Sequence, residues 1–348
     1  MWKLFVILII VIAGAIAYPS PIDSKAFQPS RSLAMNGVLA PNDALQATQL
    51  TTLPAGMRGG EDIAVDVLNC VYTGVENGDI LRKCTYSDWE VLANTGGRPL
   101  GLAFDAQQNL IIADGEKGLL QLTPKHDLST LVDQYQGEKL GVVDDVDIAA
   151  DGTIYFSDAS ALFSLKDHFF DGLNAQPSGR LFSYNPTTKA LTLLADDLFF
   201  ANGVAVAKDQ SFVLVNETFA YQISRIWLSG EKAGQKDTFL DKLPGFPDGI
   251  ATDKNGSFWL AIFAPRSQLV DKIHPLPWVK NQLAKLPKDM APVPPAYGFV
   301  VQLDKEGNIV QSLHDQAAVA IGEITSVQPE SDGLYFGTLH GREIGFLP

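Results

Sequence analysis

Positive charge is scarce in this 348-residue chain: 26 Lys and Arg stand against 40 Asp and Glu, for a formal net charge of −14. A phosphate backbone is held by clustered cations, so nucleic acid is excluded as a partner. Cysteine is almost absent. Cys70 and Cys84 stand alone, and neither is accompanied by a His or Cys at zinc-ligand spacing. The chain has no G-x-S-x-G elbow and no glycine-rich phosphate loop, which removes the serine-elbow hydrolases and the phosphate-loop nucleotide binders. Beyond residue 17 no run is apolar enough to cross a bilayer. Helical periodicity is confined to two stretches.

Repetition is what the chain has in plenty. An alternating apolar run, a polar turn and a β-rich run ending in small residues recur as "EDIAVDVLNCVYTG" from Glu61, "LGLAFDAQQNLIIAD" from Leu100 and "DDVDIAADGTIYFSD" from Asp144. They recur again as "NGVAVAKDQSFVLVNE" from Asn202, "DGIATDKNGSFWLAI" from Asp248 and "TSVQPESDGLYFGT" from Thr325. Most spacings match the roughly 40 to 50 residues of a four-stranded propeller blade. Six units over residues 41–348, with 46% hydrophobic content, predict an all-β, six-bladed β-propeller with ample core. The last unit is short of strands. "HGREIGFLP" supplies its third, and "DALQATQLTTLP" before the first repeat is expected to supply the outermost fourth and close the ring.

Ahead of the repeats, Lys3 precedes an apolar or small-residue stretch from Leu4 to Ala17, and Ala15-Ile16-Ala17 offers a cleavage site before Tyr18. Residues 1–17 read as a signal peptide or a short membrane anchor, and the globular part as exported in either case. Residues 18–40, aperiodic and Pro- and Ser-containing, read as a linker. Cys70 and Cys84 flank the turn "VENGD" symmetrically about Asn77. They are either a disulfide, as an exported protein permits, or two half-buried thiols.

Two insertions, 162–180 and 265–298, follow the second strand of the third and fifth units. Their mixed apolar and charged residues at helix-like spacing predict a partly helical, apolar lid over one mouth of the central channel, or else packing on its rim. The first positions of the repeats fall at that same mouth. Glu61, Asp144, Asn202 and Asp248 would converge there from four blades, and three carboxylates crowded with an amide repel unless a cation sits between them. Oxygen-only ligands select a hard ion, calcium first and another divalent ion such as magnesium second. The alternative is that these residues cap turns. A cation would be catalytic, as a Lewis acid, or structural. The candidate catalytic groups are Asp144 within the ring and His340, in the loop after "YFGTL" on the metal-side face. His168 and His274 lie in the insertions, and His126 and His314 read as surface residues of outer-strand turns. Asn216 and Asn255 head N-x-S/T sequons.

The segments "GGEDIAVD", "RPLGLAFD", "TIYFSDAS", "GRLFSYNP", "FANGVAVAKD", "LPGFPDGIATDKNGSFWLA" and "YGFVVQLDKEGNIVQSLHD" resemble the strictosidine synthase-like proteins. That group includes the adipocyte plasma membrane-associated proteins and belongs to the six-bladed superfamily of gluconolactonase (senescence marker protein) and paraoxonase. The resemblance covers residue 40 to the C-terminus. It implies a calcium site on Glu61, Asn202 and Asp248, with Asp144-Asp145 where the superfamily usually has Asn-Asp. Thr325 aligns with the glutamate of true strictosidine synthases, with Glu323 two residues away on the same strand face, and Leu100 aligns with a paraoxonase histidine. The implied function is an exported, calcium-dependent hydrolase acting on a small apolar ester, lactone or amine-type ligand. The alternatives are a condensing enzyme, or a non-enzymatic propeller with a structural calcium and a ligand- or partner-binding lid. Membrane association is expected through the N-terminal segment or the lid.

Overall fold

Strict apolar–polar alternation over short runs buries one side of each strand against the next sheet, and here it does so six times. The computed structural model describes residues 18–287, 290 and 294–348. The reading of residues 1–17 as signal peptide or anchor therefore lies outside the described residues. Six four-stranded antiparallel sheets surround a central channel. Their innermost, first strands are Ile63–Val65, Pro99–Phe104, Val143–Ile148, Ala201–Val206, Gly245–Thr252 and Ile324–Pro329. The chain is the predicted six-bladed propeller.

The ring closes as expected from the strand count. In the sixth blade Glu343–Leu347 is the third strand, and Gln49–Thr52 pairs with it antiparallel as the fourth. Joining the two ends of the chain in one sheet leaves no unpaired blade edge at the seam. The core lies between neighbouring sheets. One cluster gathers Phe212, Tyr221, Phe258 and Phe299 from blades four and five, and another gathers Phe156 and Phe182 with Ile111 and Val143 from blades two and three. Cys70 and Cys84, at the outer ends of a hairpin in blade one, are joined in a disulfide.

Both insertions are partly helical. The first contains α1 (His168–Asn174); the second contains α2 (Gln268–Ile273) and α3 (Pro277–Leu283). Both leave from the end of a second strand that pairs with the start of a first strand, as Gly245 opposite Pro265 shows, so both leave the sheets on the side of the channel where the repeats begin. Leu165 of the first insertion packs on Leu100, Val142 and Phe200. Residues 18–40, read from the sequence as a linker, hold no strand or α-helix, but residues 23–30 of them are laid across these insertions. Lys25 N–H donates to Asn174 O at 2.8 Å and Phe27 N–H to His274 O at 3.1 Å. Arg266 Nη2 donates to Ser30 O at 2.7 Å. Low periodicity marks a segment without its own secondary structure, and says nothing of whether neighbours satisfy its backbone.

Candidate functional site

The site is built on a repeated irregularity. In blades two to six the pairing of first with second strand shifts register near the mouth. The shifts fall between Pro99 and Leu102, Val143 and Val146, Ala201 and Val204, Pro247 and Ile250, and Ile324 and Ser326. A β-bulge sets two consecutive residues against one partner and re-aims their side chains. Asp144 and Asp145 would face opposite sides of a regular strand, yet both line the central channel. Where the second residue of such a pair is glycine, the next blade comes close: a Cβ at Gly249 would lie 2.6 Å from Thr325 O.

Glu61, Asp144, Asn202 and Asp248 are all buried. Glu61, Asp144 and Asn202 line the inner end of a channel of about 460 Å³ that runs to the turns of the opposite face. Asp248 completes the set electrostatically. Burial, then the charge of Glu61, raises its carboxyl well above the usual range, while the Asn202 amide favours its charged form. Burial and the field of Asp248 raise Asp144 likewise, and burial with the charge of Asp144 raises Glu61. The four predicted positions thus stand within one another's electrostatic reach. Among the described residues no three Asp, Glu, His or Cys side chains are already drawn into a coordination shell, and the oxygen donor set itself is what fits a hard cation.

Beside this ring runs a second set of carboxylates, of which sequence reading named only Asp145, as the partner of Asp144, and passed over Asp62 and Asp147. Asp62 accepts from its neighbour Ile63 N–H at 2.7 Å and from Leu102 N–H of the next blade at 2.8 Å. Asp145 accepts from Val146 and, across to blade four, from Val204. Asp147 accepts from Ile148 and Val206 in the same way. Each carboxylate staples two blades at the channel wall. Burial still pushes Asp62 and Asp147 up to about 6, against the lowering effect of those hydrogen bonds. The available signal was the acid directly after Glu61 and Asp144, and the D-x-D spacing of 145 and 147.

Other side chains hold the ring residues by their backbone. Thr325 Oγ1 donates to Glu61 O at 2.6 Å, so the residue aligned with a synthase glutamate serves here as a support. Asn216 donates through its amide to Asp248 O, and Thr218 Oγ1 to Pro247 O at 2.8 Å. Asn216 is fully buried and so is no exposed sequon. Arg98, also buried, donates to Gly59 O at 2.8 Å, and its charge draws Glu61 towards the ionised form.

The histidines separate clearly. His340 lies between the second and third strands of blade six, on the face where the repeats begin, with its side chain 57% exposed and Nδ1 3.3 Å from Glu323 Oε2. Glu323 is not on the strand face of Thr325: it precedes the strand in a left-handed bend, φ 52°. His168 is exposed in the first insertion. His274 is buried and bonded to Tyr221 Oη at 2.9 Å, and burial holds it at about 4. His314, expected at the surface, is instead fully buried, stacked 4.4 Å from Phe299 and held at about 4. The segment around Val38 and Asn42 hydrogen-bonds to its strand, a cover that strand position alone does not disclose.

Two family models match the chain: strictosidine synthase over residues 144–231, and the strictosidine synthase-like N-terminal region over residues 37–83. An adipocyte plasma membrane-associated protein of Salmo salar is 30% identical over 97% of this chain and 88% of its own length. Strictosidine synthase-like protein 4 of Arabidopsis thaliana is 34% identical over 80% and 76%. Among solved structures, a gluconolactonase of Xanthomonas campestris covers 95% of this chain and 99% of its own at 19% identity, with a TM-score of 0.63. A calcium-binding regucalcin of Agrobacterium tumefaciens covers 85% and 90% at 14% identity, with a TM-score of 0.59. These structures share the propeller fold, while the sequence relatives match along most of both chains: the chain belongs to the strictosidine synthase-like family, together with the adipocyte plasma membrane-associated proteins.

Proposed function

We propose that the protein is an exported, calcium-dependent hydrolase of small apolar esters or lactones. One observation carries this reading. The buried side chains of Glu61 and Asp144 accept no hydrogen bond from the protein among the described residues, whereas the acids beside them each accept two. Glu61 and Asp144 both line the channel, so their oxygens are open to a ligand there, and a divalent ion is the partner that oxygen donors from four blades suit. Bound by Glu61, Asp144, Asn202 and Asp248, calcium would polarise a substrate carbonyl oxygen.

The chain's own groups supply the rest. Asp144, held above the usual carboxylate range by burial and by Asp248, is the group to take a proton from the attacking water. His340, paired with Glu323 at the rim, is the second proton-transfer candidate. The Asn202 amide restrains Asp248. Leu165 over Leu100 and Phe200 makes the approach apolar and water-poor. Export is supported by the disulfide, which oxidising compartments maintain.

The test is turnover of an aryl ester and lactone panel by the full chain in calcium and in chelator. Turnover lost in chelator and in Asp248→Asn is the expected result. Turnover indifferent to both would refute the reading. A chelator that lowers the melting temperature, with no turnover of any substrate, would make the ion structural.

A further inference from the structure

The channel that holds the ring is packed at one end and open at the other. At the end where the repeats begin, Leu100, Val142 and Phe200 are buried and pack with Leu165 of the first insertion. No described residue of either insertion lines the channel. Its lining runs instead from Glu61, Asp144 and Asn202 to the opposite face, where Ala150, Lys208 and Lys254 are exposed at the turns between first and second strands. At about 460 Å³ the channel has room for an ion with its water, since one water takes about 30 Å³.

Charge is sorted along this wall. Asp145 and Asp147 follow Asp144 on one strand, so acids continue from the ring for about 10 Å towards the opposite face. With Asp62 they line the channel. Each accepts two backbone N–H groups, but a carboxylate has about four acceptor sites, so the channel keeps a share of each. At the inner end Glu61 and Asp144 are 7% and 6% exposed and accept no hydrogen bond from the described residues. The lining holds two cationic side chains, Lys208 and Lys254, and both stand at the outlet. Lys208 Nζ donates to Lys254 O, which holds its charge beside the opening. A cleft with one sign of charge between low-dielectric walls concentrates the opposite ion.

We propose that this channel is the passage by which calcium enters and leaves the ring, from the face opposite the insertions. The proposal rests on the reading of the ring as a calcium site. Asp147, Asp145 and Asp62 draw the ion inwards, and Lys208 and Lys254 set the barrier at the outlet. The ring therefore exchanges its ion while the packing of Leu165 on Leu100 and Phe200 stays in place. A passage changes how fast an ion comes and goes and leaves its equilibrium affinity alone, which makes it separable from the ring itself.

The calcium-loaded full chain is mixed in a stopped-flow cell with an excess of fluorescent chelator, and Kd is taken separately by calorimetry. Ala150→Trp with Gln328→Trp, both lining the outer part of the channel, is expected to slow release about tenfold with Kd unchanged. Lys254→Gln, at an exposed position that keeps the backbone oxygen bonded to Lys208, is expected to speed release about threefold at low salt. That gain should vanish in about 1 M salt, where the Debye length is about 3 Å. Leu165→Ala is expected to leave release as it was. Release indifferent to the tryptophans and to Lys254→Gln, or accelerated by Leu165→Ala, would overturn the passage and leave the calcium reading standing. Rates that change only in proportion to Kd would overturn it too, because the ring and not the passage would then set them. A chain that binds no calcium at all would overturn both readings.

Discussion

Neighbouring carboxylates do different work at the inner wall of this propeller. Asp62, Asp145 and Asp147 are each engaged by two backbone N–H groups, one of them from the next blade. Glu61 and Asp144, one residue earlier, are buried and raised by burial and by each other's neighbours, with no such partner among the described residues. Identical chemistry is therefore structural where its acceptors are filled and available for a ligand where they are not. In blade three the β-bulge turns both Asp144 and Asp145 towards the channel, where backbone N–H groups reach only Asp145.

Substitutions sharpen that contrast. The largest effect is expected from Asp145→Ala, which strands two N–H groups, Val146 and Val204. Two unsatisfied buried donors cost about 3 kcal/mol together, and urea denaturation should show that loss with calcium or with chelator alike. Asp248→Asn is expected to act the other way. Its stability in chelator stays level or rises as ring repulsion falls, while calcium affinity, read by calorimetry, drops about 100-fold. Equal losses in chelator for Asp145→Ala and Asp248→Asn would erase the distinction. Thr325→Val is the mildest change. Removing the hydrogen bond to Glu61 O should cost about 1 kcal/mol and weaken calcium binding only several-fold.

The pH dependence separates the same groups. A carboxyl raised in the folded state favours folding when protonated. The contribution of Asp62 and Asp147, both at about 6, is full below the ordinary carboxylate range and fades as pH rises through 6. The ring acids Glu61, Asp144 and Asp248 shift in the same direction. Buried His274 and His314, both lowered to about 4, oppose this: their contribution is present above the ordinary histidine range and is lost as pH falls towards 4. Taking the melting temperature in calcium minus that in chelator cancels the histidines, since both lie outside the ring. That difference is expected to grow from pH 5 to pH 7.5, as ring acids ionise and bind calcium. A difference flat across that range would break the assignment of the ring as the calcium site.

Much of this was legible in the chain. Six repeats with a deficit of strands in the last one specified six blades and their closure, because strand periodicity and blade length are local properties of sequence. The polar first positions were legible for the same reason: each repeat places its first residue at one mouth. His314 was misplaced because burial depends on what covers an outer strand, here residues 38–42 from the far end of the chain. Residues 18–40 carried no periodic signal because they form no ladder of their own: their backbone bonds to the insertions at Lys25, Phe27 and Ser30, and elsewhere at Leu33 and Val38.

Sequence by itself determined the architecture, set Glu61, Asp144, Asn202 and Asp248 at the starts of their repeats, and marked the two partly helical insertions. The tertiary structure alone decided which acids are staples and which stand free, and that α3 faces Lys280 inwards and Trp278 outwards. Both depend on neighbours distant in sequence: a backbone N–H from the next blade in one case, and the Lys25 carbonyl of the N-terminal segment in the other. Hydrogen-bond satisfaction belongs to pairs of groups, and only folding brings those pairs together.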